Sequence, residues 1–431
     1  MNKEKKAFSW VTIFLIGMGF FTTGISWSVF NSLAPLWLQL TIGNALPGFI
    51  FVSLLAGFIM GVDNFIAIIM NPLMGSRSDK TWTRFGRRMP YIIIGIPLAA
   101  GFLIGMPIAV ILPGLFGFLG LVILILGFDI AMAIYRAPVV AMMPDFTPPE
   151  KRSPANGIIN LMSGVGSIIA FVIGLLLFDI NQLLAFGIVA IIMIFCLGLL
   201  IFTIHEPEIP HEVEKVESLL GEAAKEAFSD RSVLSILFAI FAWFIAFYTL
   251  ETWFTSYGVF ALSMSEGLAT FTMTLFALVF VIFAVPGGLL ALKLGRRRTI
   301  MIGLVGMIFT LGAAAFITNQ LVLMGVLGIG GFFWAFINVN SIVILWEVSR
   351  KKQGTYTGIY YVFSQLAAAI GPIAFGGIVD LLVIFSLATP TSKWVFIWPY
   401  SILFLILALI AMIFVKRGEV GEEDELAAGT T

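Results

Sequence analysis

Along this chain apolar residues neither alternate with polar ones nor recur once per helical turn; they fill whole stretches of 20 residues or more between short polar breaks. A helix of about 20 apolar residues spans roughly 30 Å of hydrocarbon. A membrane β-barrel would instead show alternating segments of about ten residues, and none is evident. Cut at the polar breaks, the pattern predicts twelve membrane helices, at residues 9–39, 47–75, 90–111, 115–144, 154–178, 182–204, 233–260, 267–292, 299–318, 320–347, 355–385 and 394–415. The expected fold class is an all-α membrane protein.

Composition agrees: 60% of the 431 residues are hydrophobic and 11% are charged, where a soluble domain has about 25% charged residues. Charge placement sets the orientation, because cytoplasmic loops collect Lys and Arg. With the N-terminus inside, all but two of the 24 basic residues fall on the cytoplasmic side, from Lys3, Lys5 and Lys6 to Lys416 and Arg417. The exceptions are Arg136 and Lys393, the latter in an outer loop. A multi-pass protein of the cell membrane with both termini cytoplasmic is expected, and the opening MNKEKK reads as a cytoplasmic start rather than a secretory signal. Zero net charge gives no argument for a nucleic-acid partner. The single Cys196 excludes an internal disulfide, and His205 and His211 share one polar loop, so no metal-ligand spacing exists.

The longest polar interruption divides the chain into a six-helix bundle at 1–204, a linker at 205–232, a second six-helix bundle at 233–415 and an acidic tail at 416–431. Within the linker, ESLLGEAAKEAF reads either as a solvated acidic segment or as a short amphipathic helix on the membrane surface. The tail has the composition of a disordered segment. The halves echo each other. GSRSDKTWTRFGRR (75–88) follows span 2 and GLLALKLGRRR (288–298) follows span 8, while SPANGIINLMSGVGSIIAF opens span 5 as GTYTGIYYVFSQLAAAIGP opens span 11. Two six-helix repeats around a midplane site are a transporter architecture.

The loop from Gly75 through Asp79, Arg84, Gly86, Arg87 and Arg88 resembles the signature loop of the major facilitator superfamily. A second copy at Gly288, Lys293, Gly295, Arg296 and Arg297 repeats its spacing, with Leu292 in place of the aspartate. The resemblance implies a cytoplasmic gate in which Asp79 pairs with basic helix ends. A closer resemblance is to plant sucrose transporters and the wider glycoside-pentoside-hexuronide cation symporters. It is carried by NPLMGSRSDKTWTRFGRRMPYIIIG (71–95), by DIAMAIYRAPVVAMMPDFTPPEKRSPANGIINLMSGVGSIIAF (129–171) and, more loosely, by WFIAFYTLETWFTSYGVF (243–260). It implies a major facilitator fold of two pseudo-symmetric six-helix halves and cation-coupled uptake of a glycoside or sugar. The bacterial branch of that family usually carries an aspartate just before the span 2 proline, where this chain has Asn71.

A charge at the bilayer centre costs about 2.5–3.5 kcal/mol, so such residues are functional candidates by default. Asp63 and Asp129 lie about 18–22 Å from the inner face at 1.5 Å per residue. Arg136, seven residues after Asp129, shares its helical face about 10 Å deeper. Asp63, Asp129 and Arg136 are therefore functional candidates, the alternative being a fixed ion pair with another helix; the resemblance implies cation coupling at Asp129 and contact with the substrate or a proton-releasing acid at Arg136, and all three are taken as the candidate cation-coupling residues. A guanidinium beside a carboxylate favours loss of its proton, and one that withdraws lets the proton return; that exchange is the expected coupling step. Asp145 and Glu347, at the ends of spans 4 and 10, are read as sharing the gate, or as interfacial acids paired with Lys151 and Arg350.

Sugars are held by side-chain hydrogen bonds and by aromatic rings against the apolar sugar face. Candidate contacts are Trp27, Asn31, Tyr135, Arg136, Tyr248, Glu251, Trp253, Asn338, Asn340, Tyr361 and Gln365, each competing with a reading as packing or interface belt. Pro35, Pro72, Pro138, Pro286 and Pro372 are expected kink points.

The expected function is a monomeric secondary active transporter, coupled to a proton or to sodium, that takes up a sugar or glycoside by alternating access. No cofactor beyond the coupling ion, H+ or Na+, is expected, and the partners are the lipid bilayer and a small-molecule substrate. An exporter or antiporter of another small molecule is the main alternative. A non-transporting receptor or a membrane enzyme lacks support, because no serine elbow, His/Cys metal set or phosphate loop occurs.

Overall fold

A computed structural model describes residues 8–81, 83–148, 151–206, 230–348 and 353–416. Twelve of its helices are long and apolar enough to cross a membrane. They are α1 (Trp10–Ala45), α2 (Val52–Lys80), α3 (Met89–Val110), α4 (Gly114–Phe146), α5 (Arg152–Leu177) and α6 (Gln182–Thr203). The second set is α7 (Arg231–Ser256), α8 (Glu266–Leu294, broken at Met273), α9 (Arg296–Ala314), α10 (Gln320–Val348), α11 (Gln353–Ile384) and α12 (Ile397–Ile413). Among the described residues the one β pairing is an isolated bridge between Thr83 and Gly86.

The ends depart from the hydropathy pattern where local chemistry decides. Span 2 was expected from residue 47, but Pro47–Gly48 forms a turn with Gly48 at φ +85°, and the helix begins at Val52. The same helix runs on past Gly75 to Lys80, with Ser78 Oγ donating to Gly75 O at 2.8 Å, so Asp79 sits on a helical turn and not in a loop. Span 12 opens as a short 3-10 helix, Ser392–Phe396. α7 runs out through a π turn at Tyr257–Ala261. Of the expected kink points, Pro35, Pro138, Pro286 and Pro372 lie inside helices. The proposed surface helix in the linker and the acidic tail beyond Lys416 lie outside the described residues.

The chain packs as two compact units, Met1–Phe49 with Phe65–His211, and Ile50–Asn64 with Glu212–Thr431. The packing thus differs from a simple division at the linker, because the first turns of α2, including Asp63, belong with the second unit. Inside each unit the same helices touch: α1 packs on α5 as α7 packs on α11, α3 on α4 as α9 on α10, and α3 on α6 as α9 on α12. In lipid, helices gain from close backbone approach, which small residues permit. At the α1–α5 crossing a Cβ on Gly24 would sit 2.1 Å from the Ser163 carbonyl oxygen, and one on Gly166 would sit 2.5 Å from that of Phe21. Such contacts leave the cores to large side chains: Trp37, Tyr135, Phe128 and Phe186 in the first unit, Trp243, Trp253, Trp334 and Trp398 in the second.

Candidate functional site

α4 carries the charged pair. It is one helix from Gly114 to Phe146, so Asp129 and Arg136 do share a face two turns apart, about 10 Å along the axis. Asp129 is 3% exposed, while Arg136 is half-buried. The residue before Asp129 anchors an aromatic cluster: the Phe128 ring lies 5.5 Å from Trp27, edge to face, and 4.9 Å from Phe30. The Trp27 indole N–H is buried there without a hydrogen-bond partner. Asn31, one turn further along α1, is half-buried.

Tyr135, expected to contact substrate, is fully buried. Its Cβ would be 2.6 Å from a side chain at Gly95 of α3, and its hydroxyl faces Thr22, Thr23 and Ser26 of α1. Those three give their protons to backbone carbonyls one turn back, Thr22 to Gly19 at 2.7 Å, Thr23 to Gly19 at 3.1 Å and Ser26 to Thr22 at 2.7 Å. Tyr135 is a packing residue that fixes α4 against α1 and α3. Asp63 is half-buried in α2 and accepts a hydrogen bond from the Asn64 side-chain amide.

In the second unit, aromatic side chains gather from α7, α10 and α11. Tyr248 stacks on Phe244 at 5.6 Å, and Phe247 lies flat on Trp334 at 4.4 Å. Tyr360 meets Phe244 edge to face and bonds Ser341 through its hydroxyl at 3.0 Å. Tyr248, Glu251, Asn338 and Gln365 are half-buried, and Tyr361 is exposed with its ring 5.4 Å from Tyr360. Two expected contacts leave this set. Trp253 is wholly buried, its indole N–H donates to the Pro372 carbonyl at 3.1 Å, and its ring packs 5.4 Å from Trp394. Asn340 is also buried; it accepts from Arg296 Nη1 at 3.2 Å and donates to the Phe336 carbonyl at 2.9 Å, so it serves the loop and not a ligand.

The two signature loops are built alike around a glycine in the left-handed region, Gly86 at φ +105° and Gly295 at φ +89°. Only glycine adopts such angles without strain, and each turn aims the following arginines inward. In the first loop Arg87 pairs with Asp145 at 2.6 Å, and Arg88 pairs with Asp79 at 2.5 Å and with Asp145 at 3.3 Å. Arg88 also donates to Ser78 Oγ at 2.5 Å. Arg84 lies outside the cluster, exposed over the Phe85 ring. In the second loop Arg296 pairs with Glu347 at 3.4 Å, and Arg297 donates to the last carbonyls of α12, Met412 at 2.9 Å and Ile413 at 2.7 Å. Asp145 and Glu347 therefore bind signature-loop arginines of their own unit. Gly75 and Gly288 are half-buried, and Lys293 is exposed.

Two constellations were missed in the sequence. Glu206, where the linker starts, accepts hydrogen bonds from the backbone N–H groups of Arg87, Arg88 and Met89 at 2.7–3.0 Å, capping α3 with a carboxylate. Its side chain fills the space a Cβ on Gly86 would need, 2.6 Å away. In the second unit Lys393 Nζ donates to Asp380 Oδ1 at 2.8 Å and to Ser53 Oγ at 2.7 Å, while the Leu54 N–H donates to Asp380 Oδ2 at 2.9 Å. Asp380 is 2% and Lys393 9% exposed. An acid followed by proline at 206–207 was the available signal for the first. The second offered none, since its members stand up to 340 positions apart.

Among known proteins, the chain is 29% identical over 172 residues to the sucrose transport protein SUC3 of Arabidopsis thaliana, covering 34% of this chain and 26% of that protein. It is 27% identical over 246 residues to the cis,cis-muconate transport protein of Acinetobacter baylyi, covering 54% of this chain and 59% of that one. Each match spans less than two thirds of the relative's length. The fold is like that of a bacterial homologue of the human lysosomal transporter Spinster in its inward-facing, occupied conformation, with a TM-score of 0.73 at 15% identity over 95% of this chain and 97% of that one. The family model of the Major Facilitator Superfamily matches residues 16–271 and 259–429. With twelve apolar helices, the repeated packing of two six-helix sets and both signature loops in place, the chain is a multi-pass membrane protein that belongs to the major facilitator superfamily.

Proposed function

We propose that the protein takes up a sugar or glycoside together with a proton, sodium being the second choice of ion, by alternating access. The observation that carries the reading is Asp129, a carboxyl group 3% exposed inside a membrane-spanning helix, with Arg136 two turns away on the same face. A charge kept in that setting is costly and marks an ion or proton pathway. Asp129 takes up and releases the coupling proton, Arg136 holds the substrate or the acid that releases it, and Asp63 assists. Trp27 and Asn31 in the first unit offer a ring face and a polar group suited to a hydroxyl-rich ligand, and Tyr248, Glu251, Asn338, Tyr361 and Gln365 offer groups of the same kind in the second. Similarity to a protein named as a sucrose transporter supports the substrate class.

A second reading has one observation of its own. The relative matched over the larger share of this chain is named as a carrier of cis,cis-muconate, and a guanidinium such as that of Arg136 suits a carboxylate. In that case the substrate is an organic acid. The two are separated by uptake into proteoliposomes carrying an imposed inward proton gradient, with mono- and disaccharides in one panel and small dicarboxylates in the other, with and without sodium. Sugar accumulation that collapses with a protonophore supports the first reading; accumulation of dicarboxylates alone replaces it with the second. Transport opposed by the inward gradient would make the protein an exporter.

A further inference from the structure

The second signature loop keeps the bases of the first, and among the described residues it has one acid, Glu347, where the first has Asp79 and Asp145. In the first, Asp79 and Asp145 pair with the guanidinium groups of Arg87 and Arg88, and Glu206 accepts from their backbone N–H groups. In the second, Leu292 stands where Asp79 would be and Glu347 binds Arg296. Arg297 donates to the carbonyls of Met412 and Ile413. Lys293 and Arg298 are exposed, and no described carboxylate pairs with either. Three cationic side chains thus line one hollow of about 670 Å³, together with Gly295 and Met301.

Met301 is shared with a second hollow of about 630 Å³ that runs up the outside of α9 and α10 and is almost wholly apolar. Its wall is the stripe Met301, Val305, Phe309 and Ala313, one residue per turn of α9, and its far side is α10. Its floor exists because position 306 has no side chain: a Cβ on Gly306 would lie 2.2 Å from the Phe333 ring. From Met301 to Ala313 the helix rises about 18 Å, near the depth of one leaflet of a roughly 30 Å core. Val305 is 40% and Phe309 75% exposed.

A basic pocket opening onto an apolar channel one leaflet long has the charge and the shape of one ligand class. We infer that an anionic phospholipid occupies this site, its phosphate against Lys293 and Arg298 and one acyl chain in the Met301–Ala313 groove. Basic pockets between membrane helices bind anionic headgroups, and each base is worth about fivefold in affinity near a membrane surface. The lipid supplies the negative charge that no described carboxylate gives Lys293 or Arg298.

The test is native mass spectrometry of the full chain in a neutral detergent, titrated with phosphatidylglycerol and, separately, with phosphatidylcholine of the same acyl chains. Phosphatidylglycerol adducts should form at roughly 25-fold lower concentration. The preference should disappear in Lys293→Gln with Arg298→Gln, and also in Leu292→Asp, which restores the acid of the first loop at a position 58% exposed, where folding is not at stake. Equal binding of both lipids, or a preference that survives both variants, overturns the inference. So does a preference seen only after removal of residues 417–431, because the acidic tail would then be the occupant. Glycerol phosphate displacing the lipid at equal concentration would show that the groove contributes nothing, and would overturn it as well.

Discussion

Asp129 has a side chain 3% exposed on a membrane helix, and at that depth an ionised carboxylate costs about 2.5–3.5 kcal/mol unless compensated. Asp129→Asn keeps volume and hydrogen-bonding capacity but cannot titrate. We expect it to retain the wild-type melting temperature to within a few degrees, to bind substrate and catalyse exchange in proteoliposomes, and to lose accumulation driven by a pH gradient; accumulation that persisted would remove Asp129 from coupling. Trp253 shows the opposite relation between sequence and place. Its position beside Glu251 in a membrane helix reads as a ring for a sugar, yet its indole N–H is spent on a carbonyl 119 residues away. Trp253→Phe removes that hydrogen bond and should cost about 1 kcal/mol of stability, with substrate affinity unchanged in a binding titration. Charged residues in lipid announce themselves because hydrocarbon offers them no bland role. Aromatic ones do not, because packing and recognition use the same surface.

Helix ends hold the strongest local chemistry of this fold. The N-terminus of α3 has its first N–H groups bound by a single carboxylate, Glu206, which lies 117–119 positions downstream. A carboxylate there gains both from the hydrogen bonds and from the helix dipole. Glu206→Gln should therefore lower stability by about 1–2 kcal/mol, read as a fall in melting temperature that Glu206→Asp only partly restores. The Asp380–Lys393 pair is tied to the start of α2 through Ser53 and the Leu54 N–H. Removing one partner of a buried pair leaves an uncompensated charge and costs about 3–5 kcal/mol, whereas replacing both with apolar groups is often near neutral. Asp380→Leu and Lys393→Met should each destabilise strongly, and the double variant should recover most of the loss in the same unfolding assay. An additive double variant would mean that the pair is not coupled. These contacts were illegible beforehand because hydropathy marks where a helix lies and not which helix end its polar residues reach.

At the scale of the whole molecule, the number of spans, the two-fold repeat and the signature loops were legible, since each follows from the length of hydrocarbon to be crossed or from residue spacing. The assignment of Ile50–Asn64 to the second unit was not, because α2 is apolar over most of that stretch, from Leu54 to Val62, and hydropathy is blind to which neighbours an apolar face meets. Orientation rests on the asymmetry of Lys and Arg, and Lys393 was its exception among loop residues. Lys393 is buried against Asp380 at 2.8 Å, but the asymmetry counts Lys and Arg and not net charge, so the exception stands. The orientation then makes a prediction that reads the two faces directly. Cys196 is buried and is the one cysteine of the chain, so a Cys196→Ser background is silent towards thiol reagents. In that background Thr391→Cys, in the exposed stretch before the 3-10 helix, should react with a membrane-impermeant maleimide on intact cells. Arg84→Cys, at the exposed tip of the first signature loop, should react only once the cells are permeabilised. The reverse pattern would invert the protein in the membrane and, with it, the direction in which a proton gradient acts on Asp129.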